Sequence, residues 1–151
     1  MKLTLKPDTP ILACPQAGWS TLDFGPCYGN ISYLQNGAKD LLKWIVCYLD
    51  NNEAVVSFDE EGSEFLVVLT PYITYVITER HDTRFYRFEV DAENLYNRII
   101  KDITDHLDEW AGFDVMTDTK EDFDTEKESN KKELNHLLTS IFNHLNYRKG
   151  E

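Results

Sequence analysis

The stretch that decides the fold is residues 54–90, AVVSFDEEGSEFLVVLTPYITYVITERHDTRFYRFEV. Four runs in it are rich in β-branched and aromatic residues, and short polar sequences between them are typical of turns. The runs are Ala54–Phe58, Glu64–Thr70, Tyr72–Glu79 and Arg84–Val90. Connections this short suit antiparallel neighbours, so the stretch predicts an antiparallel meander sheet. The last run alternates in polarity, which indicates that one sheet face is covered and the other only partly.

Toward the N-terminus the pattern predicts less regular structure. Met1–Leu5 alternates like an edge strand, and short strands are expected at Trp19–Phe24 and Gly29–Leu34. Ala38–Leu49 has apolar residues at helical spacing, which predicts a core-facing helix. Its centre, residues 44–48, would also suit a buried strand, and length and the opening residues favour the helix.

Toward the C-terminus two helices are predicted. Asp91 is a good N-cap for a helix whose apolar stripe runs to Trp110, and Gly112 is placed to end it. A second helix is expected over 131–147. The segment 113–130 is acidic and poor in apolar residues, which predicts a mobile surface loop. Strands followed by helices predict a single α+β domain over residues 1–151, with helices packed on one face of the sheet.

The charge is uneven along the chain. The formal net charge is −12, and residues 89–128 hold fourteen acids against four bases. A field of this sign repels phosphate backbones and anionic membrane surfaces, so direct nucleic-acid and membrane binding are disfavoured. The same field favours a basic protein as partner.

Motifs of enzymes are missing from the sequence. It has no nucleophile elbow and no phosphate-binding glycine loop, so we expect no enzyme activity. No run approaches the roughly 20 apolar residues of a membrane span, and the N-terminus lacks the apolar run of a secretion signal. Three cysteines, at 14, 27 and 47, fit reduced thiols in the cytoplasm.

Two patterns of metal ligands are incomplete. Asp102, His106 and Glu109 share one helix face and could present oxygen and imidazole to zinc, but no Cys/His cluster accompanies them. Residues 122–133 resemble a calcium-binding EF-hand loop, with Lys127 where that loop needs glycine. We therefore expect neither a metal nor another cofactor.

The acidic region is the predicted partner-binding surface. Opposed charge speeds encounter, and aromatic anchors slow release. The predicted binding residues are Asp102, Asp105, Asp108, Glu109, Trp110, Asp114, Asp118, Asp122, Phe123 and Asp124. An alternative hypothesis is an enzyme or small-ligand protein with a pocket on the sheet face near His81, Arg84 and Arg87.

The layout of residues 31–112 resembles that of small acidic bacterial immunity proteins of polymorphic-toxin systems. Ser32-Tyr33-Leu34, the helix at 38–49 and the sequence from Phe58 to Phe65 carry the resemblance. It implies a cytoplasmic protein that blocks a cognate toxin, often a basic nuclease, by occlusion and without a cofactor. No shared motif transfers binding residues.

Overall fold

The computed structural model describes residues 1–149 and confirms the α+β class. All four runs of the meander form strands. The elements are β1 Trp19–Asp23, β2 Tyr28–Ser32, α1 Gly37–Asn51, β3 Ala54–Asp59, β4 Glu64–Leu69, β5 Ile73–Thr78, β6 Arg84–Glu89, α2 Ala92–Asp105, α3 Leu107–Gly112 and α4 Lys120–Lys149. The predicted N-terminal edge strand is reduced to a single parallel bridge between Lys2 and Glu89.

The main sheet has the strand order β3-β4-β5-β6, and every neighbouring pair is antiparallel. Its inner face supplies the centre of the core. The β1–β2 hairpin lies against this face: a Cβ added to Gly29 would fall 2.3 Å from ring carbons of Phe65, and the ring centroids of Phe24 and Phe88 are 5.6 Å apart. Glycine at position 29 therefore allows the hairpin backbone to approach the sheet closely.

The outer face of the sheet carries apolar side chains that remain in contact with solvent. Val55 and Phe85 are 60% and 63% exposed, and the ring of Tyr75 packs 5.4 Å from that of Phe85. Four more outward-facing side chains are half-buried: Leu66, Val68, Ile73 and Ile77. One sheet face is thus covered and the other only partly, in agreement with the sequence pattern.

Helix α1 forms where strand and helix were both compatible with the sequence. Asn36 caps its start by accepting a hydrogen bond from the Lys39 backbone N–H at 3.1 Å, and Asn52 ends it in the left-handed conformation. The helix packs on β3, where Trp44 Nε1 donates to the Ala54 carbonyl at 3.0 Å. Caps at both ends and an apolar stripe of helical period together favour the helix.

The helix predicted from Asp91 to Gly112 is wrong as one continuous element. Asp91 caps α2 as expected, but the chain leaves helical geometry at His106, where φ is −130° and ψ is 36°. Helix α3 follows, and its Trp110 is completely buried. A Cβ on Gly37 would fall 3.2 Å from that indole ring, so α3 packs at the start of α1. Packing of Trp110 accompanies the break in the helix.

The loop predicted over 113–130 is wrong from residue 120 onward, because α4 begins at Lys120. Thr119 caps the helix: its Oγ1 accepts a hydrogen bond from the Asp122 backbone N–H at 3.1 Å. Glu121 and Asp122 in the first turn interact favourably with the helix dipole. Capping and charge thus extend the helix where apolar residues are scarce.

Candidate functional site

Helix α4 and the residue before its cap present a row of exposed carboxylates. We call this group the α4 acidic surface, and it consists of Asp118, Glu121, Asp122, Asp124, Glu126 and Glu128. Within residues 1–149 none of these side chains forms a salt bridge or accepts a hydrogen bond. These carboxylates are therefore unpaired within the described residues and face solvent, with exposed Lys120 and Lys132 on the same helix.

The helical repeat divides the carboxylates of α4 between two flanks. Glu121, Asp124 and Glu128 are spaced i, i+3, i+7 and lie on one side, and Asp122 and Glu126 lie on the other. A partner that approaches along the exposed side of α4 meets negative charge over about two helical turns, which span roughly 11 Å.

Three side chains hold the first turns of α4 on α3. Phe123 packs close to Gly112, where an added Cβ would meet its ring at 3.1 Å. Lys127 pairs with Asp108 at 2.8 Å, and Asn130 Nδ2 donates to the Ala111 carbonyl at 2.9 Å. Phe123, Lys127 and Asn130 are half-buried, and no residue of 120–130 is fully buried.

A groove of about 310 Å³ adjoins this contact. The loop Pro15–Gly18 forms one wall, and Glu109, Phe113 and Phe123 are among the residues of the other. Aromatic surface beside exposed carboxylate is the composition expected where a basic side chain with an apolar stem is held. The prediction of Phe123 and Glu109 near one binding surface is compatible with this arrangement.

Two of the ten predicted binding residues are not on the surface. Asp102 is 4% exposed, and its Oδ2 accepts hydrogen bonds from the backbone N–H groups of Ile11 and Leu12 at 2.9 and 3.0 Å. Trp110 is 0% exposed. The prediction of partner contacts is wrong for both, because Asp102 anchors the N-terminal segment and Trp110 fills the core.

Three further predicted residues lie at or near the surface but interact within the chain. Asp105 pairs with Lys101 at 2.6 Å, and Asp108 pairs with Lys127. These hydrogen-bonded lysines lower the pKa of both carboxyl groups. Asp114 is half-buried and accepts hydrogen bonds from the side-chain amides of two asparagines, at positions 36 and 130. The remaining acids, Glu109, Asp118, Asp122 and Asp124, are exposed as expected.

The alternative pocket near His81 and Arg84 is a hollow of about 250 Å³ between the hairpin and β6. Its cations are already engaged: Arg80 binds the carboxylate of Glu60 at 2.8 Å, and Arg84 pairs with Asp82 at 3.2 Å. Arg87 alternates to the opposite sheet face and does not line the hollow. Of the three residues named for the small-ligand pocket, His81 and Arg84 therefore line this hollow.

Sequence reasoning missed one constellation, the cluster of Cys14, His106 and Glu109. A sulfur, a ring nitrogen and a carboxylate oxygen of these residues lie within 4.8 Å of one another. Burial, with a smaller contribution from the charge of Glu109, raises the pKa of the Cys14 thiol. His106 and Glu109 were considered with Asp102, which the fold directs elsewhere. Cys14 is distant in sequence and comes close only through the tertiary fold.

The EF-hand resemblance of residues 122–133 is not realised. These residues lie inside one continuous helix, α4, where side chains point outward in all directions and cannot converge on an ion.

Comparisons with protein-family models, with curated proteins and with solved structures found no match. Among the helices in residues 1–149, none is both long and apolar enough to cross a bilayer.

Proposed function

We propose that the protein binds a basic partner protein through the α4 acidic surface and acts as an immunity protein that blocks a cognate toxin by occlusion. The observation that carries the proposal is the row of exposed carboxylates on residues 118–128, none of which forms an ion pair within residues 1–149. Asp102, Asp105 and Asp108 of the same region are paired with basic side chains, whereas no ion pair within residues 1–149 involves this row. Such a field attracts a basic protein and raises the rate of encounter.

The groove beside Phe123 supports the proposed blocking of a toxin by occlusion, which requires a long-lived complex. Long-lived complexes depend on a few well-packed anchors at the centre of the interface. Phe123 and Phe113 are half-buried at the edge of the carboxylates, so a lysine or arginine of the partner can place its apolar stem on them and its charge near the α4 acidic surface. Release would then be slow although association is steered by charge.

The test begins with isolation of the partner from native cells on immobilised protein, followed by its purification and by kinetic binding measurements. A triple charge reversal, Asp124→Lys, Glu126→Lys and Glu128→Lys, leaves the Asp108–Lys127 pair intact. Because steering contributes tenfold or more at low ionic strength, we expect association to slow by about that factor. The salt dependence of the association rate should weaken as well.

A matched control has the same change in net charge on other parts of the molecule. Asp8, Glu53 and Glu79 are exposed and distant in sequence from α4, and their replacement by lysine adds the same six charges. The control should lower the association rate much less than the α4 variant. Equal rates for both triple variants would refute a specific role of the α4 acidic surface. The immunity role itself requires that the isolated partner be a toxin whose activity the protein suppresses at a one-to-one ratio.

A further inference from the structure

The cluster of Cys14, His106 and Glu109 contains no residue of the α4 acidic surface, and Glu109 alone also lines the groove beside Phe123. Its three donor atoms come from two distant parts of the chain and lie within 4.8 Å of one another. We propose that these residues form a site for a transition-metal ion of the zinc type, with one coordination position left for water or another ligand.

The chemistry of the donors selects the class of metal. Thiolate sulfur binds soft and borderline ions, imidazole suits zinc, copper, iron and nickel, and carboxylate completes many zinc sites. Calcium and magnesium prefer sets made only of oxygen, so a site with sulfur and nitrogen disfavours them. Zinc with one sulfur, one nitrogen and one oxygen is the assignment that uses all three side chains.

The spacing of the donors is compatible with one ion. Bond lengths of about 2.0–2.3 Å in a tetrahedral zinc site place pairs of donors roughly 3.3–3.6 Å apart. The donors of the cluster lie within 4.8 Å of one another, so they need to approach by at most about 1.5 Å, and Glu109 is exposed at the start of α3, where its side chain can rotate. His106 and Glu109 are three residues apart across the first turn of α3, so they reach the same side.

The fold positions the cysteine through a separate buried contact. Asp102 lies one helical turn before His106 and holds the backbone N–H groups of Ile11 and Leu12. Cys14 follows Leu12 by two residues, so the carboxylate that fixes this segment also brings the thiol to the imidazole. Glu109, in the first turn of α3, lies beside the same point.

Binding of the ion requires the thiol to lose its proton. The Cys14 S–H bond breaks, the sulfur forms a bond to Zn²⁺, and the proton passes to the buffer; no oxidant or reductant takes part. Three protein donors leave a tetrahedral ion with one open position, the arrangement found in zinc sites that bind water or a substrate group. Glu109 also lines the neighbouring groove, so the open position is close to a surface that another molecule can enter.

Cobalt(II) and zinc(II) are the probes for this site. The full-length reduced protein, freed of metal by chelation, should bind one cobalt ion per chain and develop the thiolate-to-cobalt charge-transfer absorption. Cys14→Ser should abolish that absorption. His106→Gln and Glu109→Gln should each weaken binding at least about tenfold, because even residues outside the first coordination sphere have effects of this size. Cys47→Ser and Glu126→Gln are the controls and should leave the affinity unchanged.

A measurement on the unaltered chain keeps the test valid if a variant fails to fold. Zinc should slow the alkylation of Cys14 at least about tenfold and leave the alkylation rate of exposed Cys47 unchanged. Mass spectrometry measures both rates. The proposal is refuted if cobalt binding is not saturable at one ion per chain, if the charge-transfer absorption persists in a folded Cys14→Ser variant, or if zinc slows both thiols equally.

Discussion

The buried carboxylate of Asp102 gives the sharpest test of the fold, because one substitution removes several contacts. In Asp102→Ala the backbone N–H groups of Ile11 and Leu12 lose their acceptor, and Arg98, whose side chain is 12% exposed, loses an anion 3.5 Å away. Removal of one partner of a buried ion pair costs about 3–5 kcal/mol. Each donor left without an acceptor costs about 1–3 kcal/mol, but this cost is already part of the first figure, so the two are not added. We expect the free energy of unfolding to fall by about 3–5 kcal/mol.

The comparison variant is Asp102→Asn, which keeps an acceptor oxygen and the shape of the side chain. It should lose about 1–3 kcal/mol, because the amide keeps one acceptor oxygen but places N–H donors where Asp102 Oδ1 faces Arg98. Urea unfolding followed by tryptophan fluorescence measures both values, and the dependence on denaturant should remain unchanged. A loss below about 1 kcal/mol for Asp102→Ala would refute the structural role assigned to this contact.

The pH dependence of the asparagine variant gives an independent check. Burial, opposed by the two backbone hydrogen bonds, raises the pKa of Asp102 in the folded protein. With a folded pKa above the unfolded value of about 3.9, its contribution to stability is complete below that value and is lost as the pH rises through the folded pKa. The destabilisation by Asp102→Asn relative to the unaltered protein should therefore shrink as the pH rises from about 4. A penalty that grows with pH would show that the carboxylate is stabilised in its charged form.

Three further predictions concern packing and thiol exposure. Trp110→Ala should lower the free energy of unfolding by about 3–5 kcal/mol in the urea assay, as for other buried aromatic residues. A near-neutral effect would contradict its burial and would support a position on the surface. Gly29→Ala should cost about 1–3 kcal/mol or more, because the new methyl group overlaps the Phe65 ring; an unchanged unfolding midpoint would contradict the close approach of hairpin and sheet. A thiol reagent should modify exposed Cys47 first and Cys27 last, since burial raises the Cys27 pKa to about 12; the reverse order in a mass-spectrometric time course would contradict the structure.

The strands were predictable from the sequence because their signals are local. Alternating β-branched and aromatic residues, with polar turns between them, place every strand of the meander within two residues of its observed bounds. Helix α1 was predictable for a related reason, since its apolar residues follow the helical period over nearly its full length.

The first turns of α4 were missed because apolar periodicity is the wrong signal there. Residues 120–130 form a helix with no fully buried side chain, stabilised by capping, by charge and by the half-buried contacts of Phe123, Lys127 and Asn130 with α3. The sequence did contain the relevant signal: Thr119 followed by Asp122 is a helix-start pattern, with acids in the first turn.

The candidate site was only partly predictable. Local charge located the α4 acidic surface, but burial of Asp102 depends on a segment 90 residues away in sequence. The approach of Cys14 to His106 depends on the same long-range contact, so neither could be read from spacing. An acidic residue next to an apolar helical stripe looks the same in sequence whether it faces solvent or a buried backbone.

Helix α4 is one continuous element, yet its two halves should open to solvent at very different rates. Buried Leu134, Leu138 and Ile141 hold the C-terminal half, whereas the first turns rest on half-buried contacts alone. Local opening should therefore begin at Lys120 and stop near Leu134, and backbone amides before that point should exchange with deuterium long before the core does. A partner bound to this end of the helix would protect those amides, which makes their exchange rate a direct report of occupancy.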